Sequence, residues 1–442
     1  MANDKDFIVK NAVEVGGPTN VTLGTVTSNN IDLATGNYFK DTPSGTSTYS
    51  ISNAGDVQSF QLELTGGTEA VAQNFSTTLY TGNSSTQTIT NGIDLAGDGG
   101  LVWIKNRSVG STNHSIFDTE SGATGGTRLR TNLSNGLQTF NGSAVFTTSS
   151  TGFALNNDAS NDLNDSIYNY VSWTFKKEPS FFDVVTWTGD GTTSRSISHN
   201  LGSAPGSIFI KQTSGDGENW IVWHRSISNE VGGEILYLNA TDSQSSMNGK
   251  FDDTNLPTST TFTVEQDNSV NASGASYVAY LFAHDTASDS QIKCGSYTGT
   301  GSDLNINLGW QPQFVIIKNY TNAYNWQMHD SQRGVTTDGN DARLHPNLSN
   351  SESTDADWLD FTSTGMTIKG SLGANLNSSG HGYIYIAIRA ASDLDLTWPT
   401  SIEFAGGVAP AAPATGETDV FTFSTDDGGT SYIGTKTADN LS

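Results

Sequence analysis

A short apolar run that stops at a lysine occurs three times in this chain, and its spacing constrains the fold more than any other feature. The copies are Leu101-Val-Trp-Ile-Lys-Asn-Arg107, Ser207-Ile-Phe-Ile-Lys-Gln-Thr213 and Phe314-Val-Ile-Ile-Lys-Asn-Tyr320. An unbroken run of β-branched and aromatic residues fits a strand buried in a sheet. Lys105 and Lys211 are 106 residues apart, and Lys211 and Lys318 are 107 apart. Two further landmark sets keep the period. Asn113, Asn219 and Asn325 stand 106 apart and open Asn-His-Ser-Ile-Phe-Asp, Asn-Trp-Ile-Val-Trp-His and Asn-Trp-Gln-Met-His-Asp. Asn164-x-Ser-x-x-x-Tyr170, Asn271-x-Ser-x-x-x-Tyr277 and Asn377-x-Ser-x-x-x-Tyr383 each lead into a second apolar run. The unit exceeds the roughly 20–50 residues of solenoid repeats. Each copy is therefore expected to be a separate domain with its own core.

The repeats run from about 71 to 178, 179 to 287 and 288 to 391. Within each, seven or eight short strands alternate with Gly, Asn, Asp and Ser turns, a density that fits an antiparallel β-sandwich of jelly-roll type. Residues 1–70 do not match the repeat. Runs such as Phe7-Ile-Val-Lys, Asn30-Ile-Asp-Leu and Phe60-Gln-Leu-Glu-Leu, punctuated by Gly and Pro, predict a small N-terminal β module. Residues 392–442 carry a Pro- and Ala-rich linker, Gly406 to Pro413, and then a hairpin signal, Asp426-Asp-Gly-Gly-Thr430 between β-rich runs. A lone hairpin is barely stable in water, so this one is expected to dock on a neighbour, in the chain or on another subunit. The fold class is all-β: three tandem sandwiches, a small N-terminal β module and a C-terminal hairpin segment.

Composition narrows the function. With 20 Lys and Arg against 45 Asp and Glu, the formal charge is −25. Such a surface repels phosphate backbones and anionic membranes, so nucleic-acid partners are not expected. No run of about 18 apolar residues is present, so no membrane insertion is expected. The polar N-terminus does not resemble a signal peptide. Cys294 is the single cysteine and reads as a small buried hydrophobe.

The chemistry-bearing motifs are weak. Glu265-Gln-Asp267 and Glu417-Thr-Asp419 begin the Glu-x-Asp-x-x-Glu pattern of jelly-roll glucanases, but Val270 and Thr422 stand where the second Glu belongs. No nucleophile elbow, zinc helix, phosphate loop or Asp-x-Asp-x-Asp-Gly calcium loop occurs. Asp-rich turns such as Asn157-Asp and Asp252-Asp-Thr read as solvated turns. No cofactor, metal or catalytic residue is expected, and the chain is read as a non-enzyme. The tempting binding residues are Trp220, Trp223, Tyr324 and Trp326, in and beside the turns at Asp216–Trp220 and Asn322–Trp326, because aromatic faces with nearby amides suit sugars. The competing and heavier reading places the tryptophans in the sandwich cores.

Several stretches resemble a known family. Trp103-Ile-Lys with Phe117-Asp118, Leu201-Gly-Ser-Ala-Pro205 before Ile208-Phe-Ile-Lys, and Asn271-Ala-Ser-Gly-Ala-Ser-Tyr-Val-Ala-Tyr280 resemble a concanavalin-A-like sandwich domain in virion proteins of marine tailed phages. The second repeat matches best. In the first, Ile167 replaces the motif glycine, and the third lacks the aromatic pair. Asp32-Leu-Ala-Thr-Gly-Asn-Tyr-Phe39 and the segment from Trp398-Pro399 to Asp427-Gly-Gly-Thr430 are similar to modules of the same proteins. The resemblance implies a virion location and a tail-fibre or fibre-like adhesin. Its N-terminal module would attach to other virion proteins, and its sandwiches would face a host surface glycan. A homo-oligomer, most simply a trimer, is expected, both for avidity and to cover the hairpin. A capsid decoration or head-fibre protein and a glycan depolymerase are the alternatives.

Overall fold

The computed structural model describes residues 23–27, 30–41, 47–55, 58–65, 74–139, 145–156, 161–215, 217–228, 233–287, 290–335, 337, 339–370, 375–390, 396–404, 407, 409–410 and 418–441. The Phe7 run, the Asn157-Asp turn, Asp216, Glu417 and most of the Pro/Ala linker lie outside the described residues. The chain divides into two compact units, one of residues 71–391 and one of residues 1–70 with 392–442.

In the larger unit the three repeats build the same sheet. In the first, the strand order is Ser115–Asp118, Gly100–Asn106, Asn169–Lys176, Phe75–Thr81. In the third it is Gln327–Asp330, Pro312–Asn319, Gly382–Arg389, Ile292–Thr298. The second repeat has the same four, Ile221–His224, Pro205–Gln212, Ser276–Ala283 and Phe182–Thr188, and adds Glu234–Tyr237 and Ser245–Ser246 beyond Ile221–His224. All pairings in these sheets are antiparallel, and a smaller antiparallel sheet accompanies each. Lys105, Lys211 and Lys318 thus fall on the corresponding strand of each sheet.

The apolar runs are continuous because both faces of the main sheet are buried. Val102 and Ile104 point into the first sandwich, against Phe146, Phe153 and Leu155. Leu101 and Trp103, on the opposite face, join a cluster that also holds Trp220, Phe282, Phe314 and Trp326. In the third repeat Val315 and Ile317 face their own sandwich, whereas Phe314 and Ile316 face the common cluster. Besides its own sandwich interior, each repeat therefore contributes to a core shared by all three, and residues 71–391 form one compact unit rather than three beads.

The Asn-x-Ser-x-x-x-Tyr landmark is a staple within each repeat. Asn164, Asn271 and Asn377 accept from the backbone N–H of Asn83, Asp190 and Thr300 at 3.0, 3.1 and 2.8 Å and donate to the carbonyls of Ser85, Thr192 and Ser302 at 2.6, 2.9 and 2.7 Å. The Tyr170, Tyr277 and Tyr383 hydroxyls accept from the N–H of Asp165, Ala272 and Ser378. Their rings stack on Tyr80, Trp187 and Tyr297 with centroids 4.9–5.3 Å apart. The glycine closing each opening Tyr-Thr-Gly or Trp-Thr-Gly is required by this close approach. A Cβ on Gly82, Gly189 or Gly299 would lie 2.2, 2.0 or 2.2 Å from a carbonyl oxygen of the stapled loop.

In the smaller unit the two ends of the chain share one mixed sheet. Its order is Ile402–Phe404, Tyr432–Leu441, Thr418–Thr425, Gln58–Thr65, Tyr38–Asp41, Leu23–Thr27, Asn30–Asp32, Ser50–Ser52. The separate N-terminal module and C-terminal segment expected from the sequence are therefore a single unit. Thr418–Thr425 pairs antiparallel with Gln58–Thr65, and Phe423 stacks on Phe60 at 4.9 Å. The hairpin turn uses Gly428 and Gly429 at φ of 72° and 82°, as its sequence requires. Its neighbour lies in the same chain, which removes the uncovered hairpin as a reason to invoke another subunit.

Candidate functional site: the seams between repeats

The residues that recur in the sequence meet where one repeat touches the next. Asn113, Asn219 and Asn325 accept from the side-chain amides of Asn132, Asn239 and Asn347 at 2.6, 2.8 and 2.7 Å. The same second asparagines accept from the N–H of His114, Trp220 and Trp326 at 3.1, 2.9 and 3.2 Å. This clamp fixes the backbone of the residue whose ring then crosses to the preceding repeat. Trp220 Nε1 donates to the Arg130 carbonyl of the first repeat at 3.0 Å. Trp326 Nε1 donates to the Tyr237 carbonyl of the second at 2.9 Å. His114 Nε2 lies 2.9 Å from the His345 carbonyl of the third. A carbonyl only accepts, so Nε2 carries the proton. That tautomer leaves Nδ1 free to accept from Trp103 Nε1 at 2.8 Å.

A second set of bonds follows the same cycle. The N–H groups of Leu137, Gln244 and Glu352 donate to the carbonyls of Thr213, Tyr320 and Arg107 at 2.9, 2.7 and 3.0 Å. The first repeat thus contacts the second, the second the third, and the third the first. The three repeats close into a pseudo-threefold ring within one chain. Further inside, Tyr280 donates to Asp118 at 2.7 Å, Trp173 to Asp330 at 2.9 Å, and His224 Nε2 sits 3.2 Å from the Tyr385 carbonyl. Asp118 is also held by the N–H groups of Glu120 and Ser121, and burial pushes its carboxyl above the usual range.

The repeat lysines hold loops, and Lys318 also reaches across a seam. Lys318 Nζ donates to the Asn319 carbonyl at 2.5 Å and to Thr241 of the second repeat at 3.3 Å. Lys105 donates to the Asn106 carbonyl and to Thr112, and Lys211 to the Glu218 carbonyl. All three are fully buried. Burial pulls Lys105 down to about 8 and Lys318 to about 7.

The expected binding residues need correction. Trp220, Trp223 and Trp326 are each 1 % exposed, so none presents a ring face to a ligand. Trp220 stacks on Tyr280, Trp223 packs near Phe251, and Trp326 lies edge-on to Phe209. Trp220 and Trp326 belong to different seams and do not converge on one site. Tyr324 alone of the four is partly exposed. The carboxylates are structural too. Glu265 accepts from Ser194, Asp267 caps the turn at Asn268–Asn271, and Asp419 pairs with Lys436 at 2.7 Å. Cys294 is buried, and burial raises its thiol. Among the described residues no group of three His, Cys, Asp or Glu could hold a metal ion. A shallow polar groove of about 360 Å³ opens where the first two repeats meet, lined by Glu120, Ser121, Thr186, Thr188 and Ser276 beside Trp187 and Tyr277.

The second asparagines of the clamps escaped the sequence reading. The signal was present: Asn132-Leu-Ser, Asn239-Ala-Thr and Asn347-Leu-Ser keep the repeat period, yet they pass for sequons in a chain rich in Asn, Ser and Thr.

A single family profile spans the ring as one unit, matching residues 70–391, and is described as a domain of unknown function, DUF7483. The chain belongs to the DUF7483 family. No curated protein matches it. The DUF7483 match begins and ends within a residue of the compact unit at 71–391, so the family corresponds to the closed ring and not to one repeat.

Proposed function

We propose that this DUF7483 protein is a structural component of a phage virion, a tail-fibre or fibre-like adhesin that contacts the host surface. The observation that carries the proposal is the use to which the recurring residues are put. The asparagine clamps, the crossing rings, the buried lysines and the tyrosine staples all hold strands, loops and seams. A scaffold of this kind presents loops in triplicate, and repeated weak contacts gain strength through effective concentration. The virion resemblance of the sequence motifs supports the same role. In this proposal the protein binds and does not cut, its partners are other virion proteins and a host surface glycan, and it assembles as a homo-oligomer. Tyr324 and the turn at Asn322–Tyr324 remain candidates for host contact because they are not buried.

Electron microscopy of phage particles labelled with antibody against this chain tests the proposal. Label at tail or fibre tips supports the adhesin, and label over the head supports a decoration protein. Particles without label would remove both. Release of reducing sugar ends from host envelope polysaccharide by the purified protein would replace the adhesin with a depolymerase.

A further inference from the structure

We propose that the seam between the third and first repeats is an electrostatic clasp, the one place where the ring opens and closes. The peptide chain passes directly across the other two seams, at residues 177–182 and near 284–292, whereas outside the ring the third repeat is joined to the first only through the segments that pair in the smaller unit. That seam also carries a chain of linked ion pairs. At equivalent positions the first two seams carry Leu137 beside Thr213 and Gln244 beside Tyr320, all uncharged. The third carries Glu352 beside Arg107, joined by two hydrogen bonds of 2.9 and 2.7 Å in the bidentate geometry of a strong pair. Glu352 also meets Arg333 at 3.3 Å, and Arg333 binds Asp330 at 2.6 Å and the Met328 carbonyl at 2.9 Å. Asp330 accepts from Trp173 of the first repeat, and the Arg333 guanidinium sits 5.2 Å from the Trp173 ring centre. The network therefore runs from Arg107 through Glu352, Arg333 and Asp330 to Trp173, starting and ending on the first repeat.

Removing one partner of such a chain strands a charge inside the seam, which costs more than the pair contributes. Among the described residues the two chain-crossed seams have no ion pair at the equivalent positions, and their direct covalent link keeps the facing surfaces at high effective concentration even when contacts break. Loss of a clasp residue opens the third seam first and leaves the other two closed.

Hydrogen exchange read by mass spectrometry on the full chain tests this, comparing wild type with Arg107→Ala and Glu352→Gln. The expected result is exchange faster by roughly tenfold or more in 107–116 and 345–352, a factor equal to about 1.4 kcal/mol of opening free energy. Segments 134–138 with 217–220, and 241–246 with 320–326, keep their wild-type rates. The conservative variant Arg107→Lys keeps a cation opposite Glu352 and exchanges more slowly there than Arg107→Ala. An equal rise at all three seams, or none at the third, would overturn the clasp. Should Arg107→Ala fail to fold, Glu352→Gln alone provides the same comparison: selective quickening at the third seam supports the clasp, and uniform rates refute it.

Discussion

Replacing Trp220 or Trp326 by alanine separates a core role from a ligand role. Each indole is 1 % exposed and donates across a seam to a carbonyl 3.0 or 2.9 Å away. Truncating a buried Trp to Ala costs about 3–5 kcal/mol through lost burial and the cavity left behind. The stranded Arg130 or Tyr237 carbonyl adds about 1–3 kcal/mol unless water reaches it. With an unfolding entropy of about 2.1 cal/mol/K per residue, each kcal/mol lowers Tm by about 1.5 °C in a unit of this size. The expected drop for the combined loss of about 4–8 kcal/mol is therefore roughly 6–12 °C for either variant in a thermal melt of the full chain. Trp→Phe at the same positions keeps most of the packing and loses the donor, so its drop is expected to be smaller. A Trp220→Ala or Trp326→Ala variant that melts within about 1 °C of wild type while losing adsorption to host cells would refute the core assignment.

Other outcomes follow from the same contacts. Asn271→Ala removes both staple bonds of the second repeat, with an expected loss of about 2–3 kcal/mol in urea unfolding; an unchanged midpoint would contradict the staple. Gly299→Ala places a Cβ 2.2 Å from the Ser378 carbonyl and is expected to melt lower than wild type, whereas Gly380→Ala, where nothing lies within 4 Å, pays only for its positive φ. Acid should destabilise the protein. Burial holds His224 at about 3 and His345 at about 4, below the roughly 6.5 of an unfolded histidine. Between those values the unfolded chain binds protons that the native one does not, so stability present above about pH 6.5 is lost as pH falls towards 4 and then 3. The buried lysines act in the same direction at higher pH: Lys318 at about 7 and Lys105 at about 8 make stability rise from there towards about pH 10. A urea midpoint that increases from pH 7 to pH 5 would contradict this.

The sequence carried the repeat and its strands because each buried run had to be apolar along its whole length, and each staple needed the same Asn, Ser and Tyr. Phe314-Val-Ile-Ile and Leu101-Val-Trp-Ile are legible for that reason. An unbroken run also says that both faces are covered, but not by what. A second sheet and a neighbouring repeat look alike from the strand's own residues, so the shared core behind Trp103, Phe209 and Ile316 was hidden. The tryptophans were ambiguous for a related reason. Trp220 and Trp326 follow turns, where exposure is the usual expectation, but the asparagine clamp bends each ring into the adjoining repeat. The pairing of Gln58–Thr65 with Thr418–Thr425 joins strands at opposite ends of the chain, and neither strand's pattern names its partner. Arg107 and Glu352 are likewise unremarkable singly; their meaning lies in the seam that brings them together.

Spin labels at Thr90, Ser198 and Asn307, one per repeat and two at a time, measure ring closure directly by pulsed electron resonance. These positions are exposed and occupy corresponding strand ends, and Cys294 is buried beneath the second and third repeats, away from labelling reagents. A closed pseudo-threefold ring predicts three similar distances, with first-to-third no longer than first-to-second or second-to-third. A first-to-third distance near the sum of the other two would mean three domains in a row and would contradict the ring.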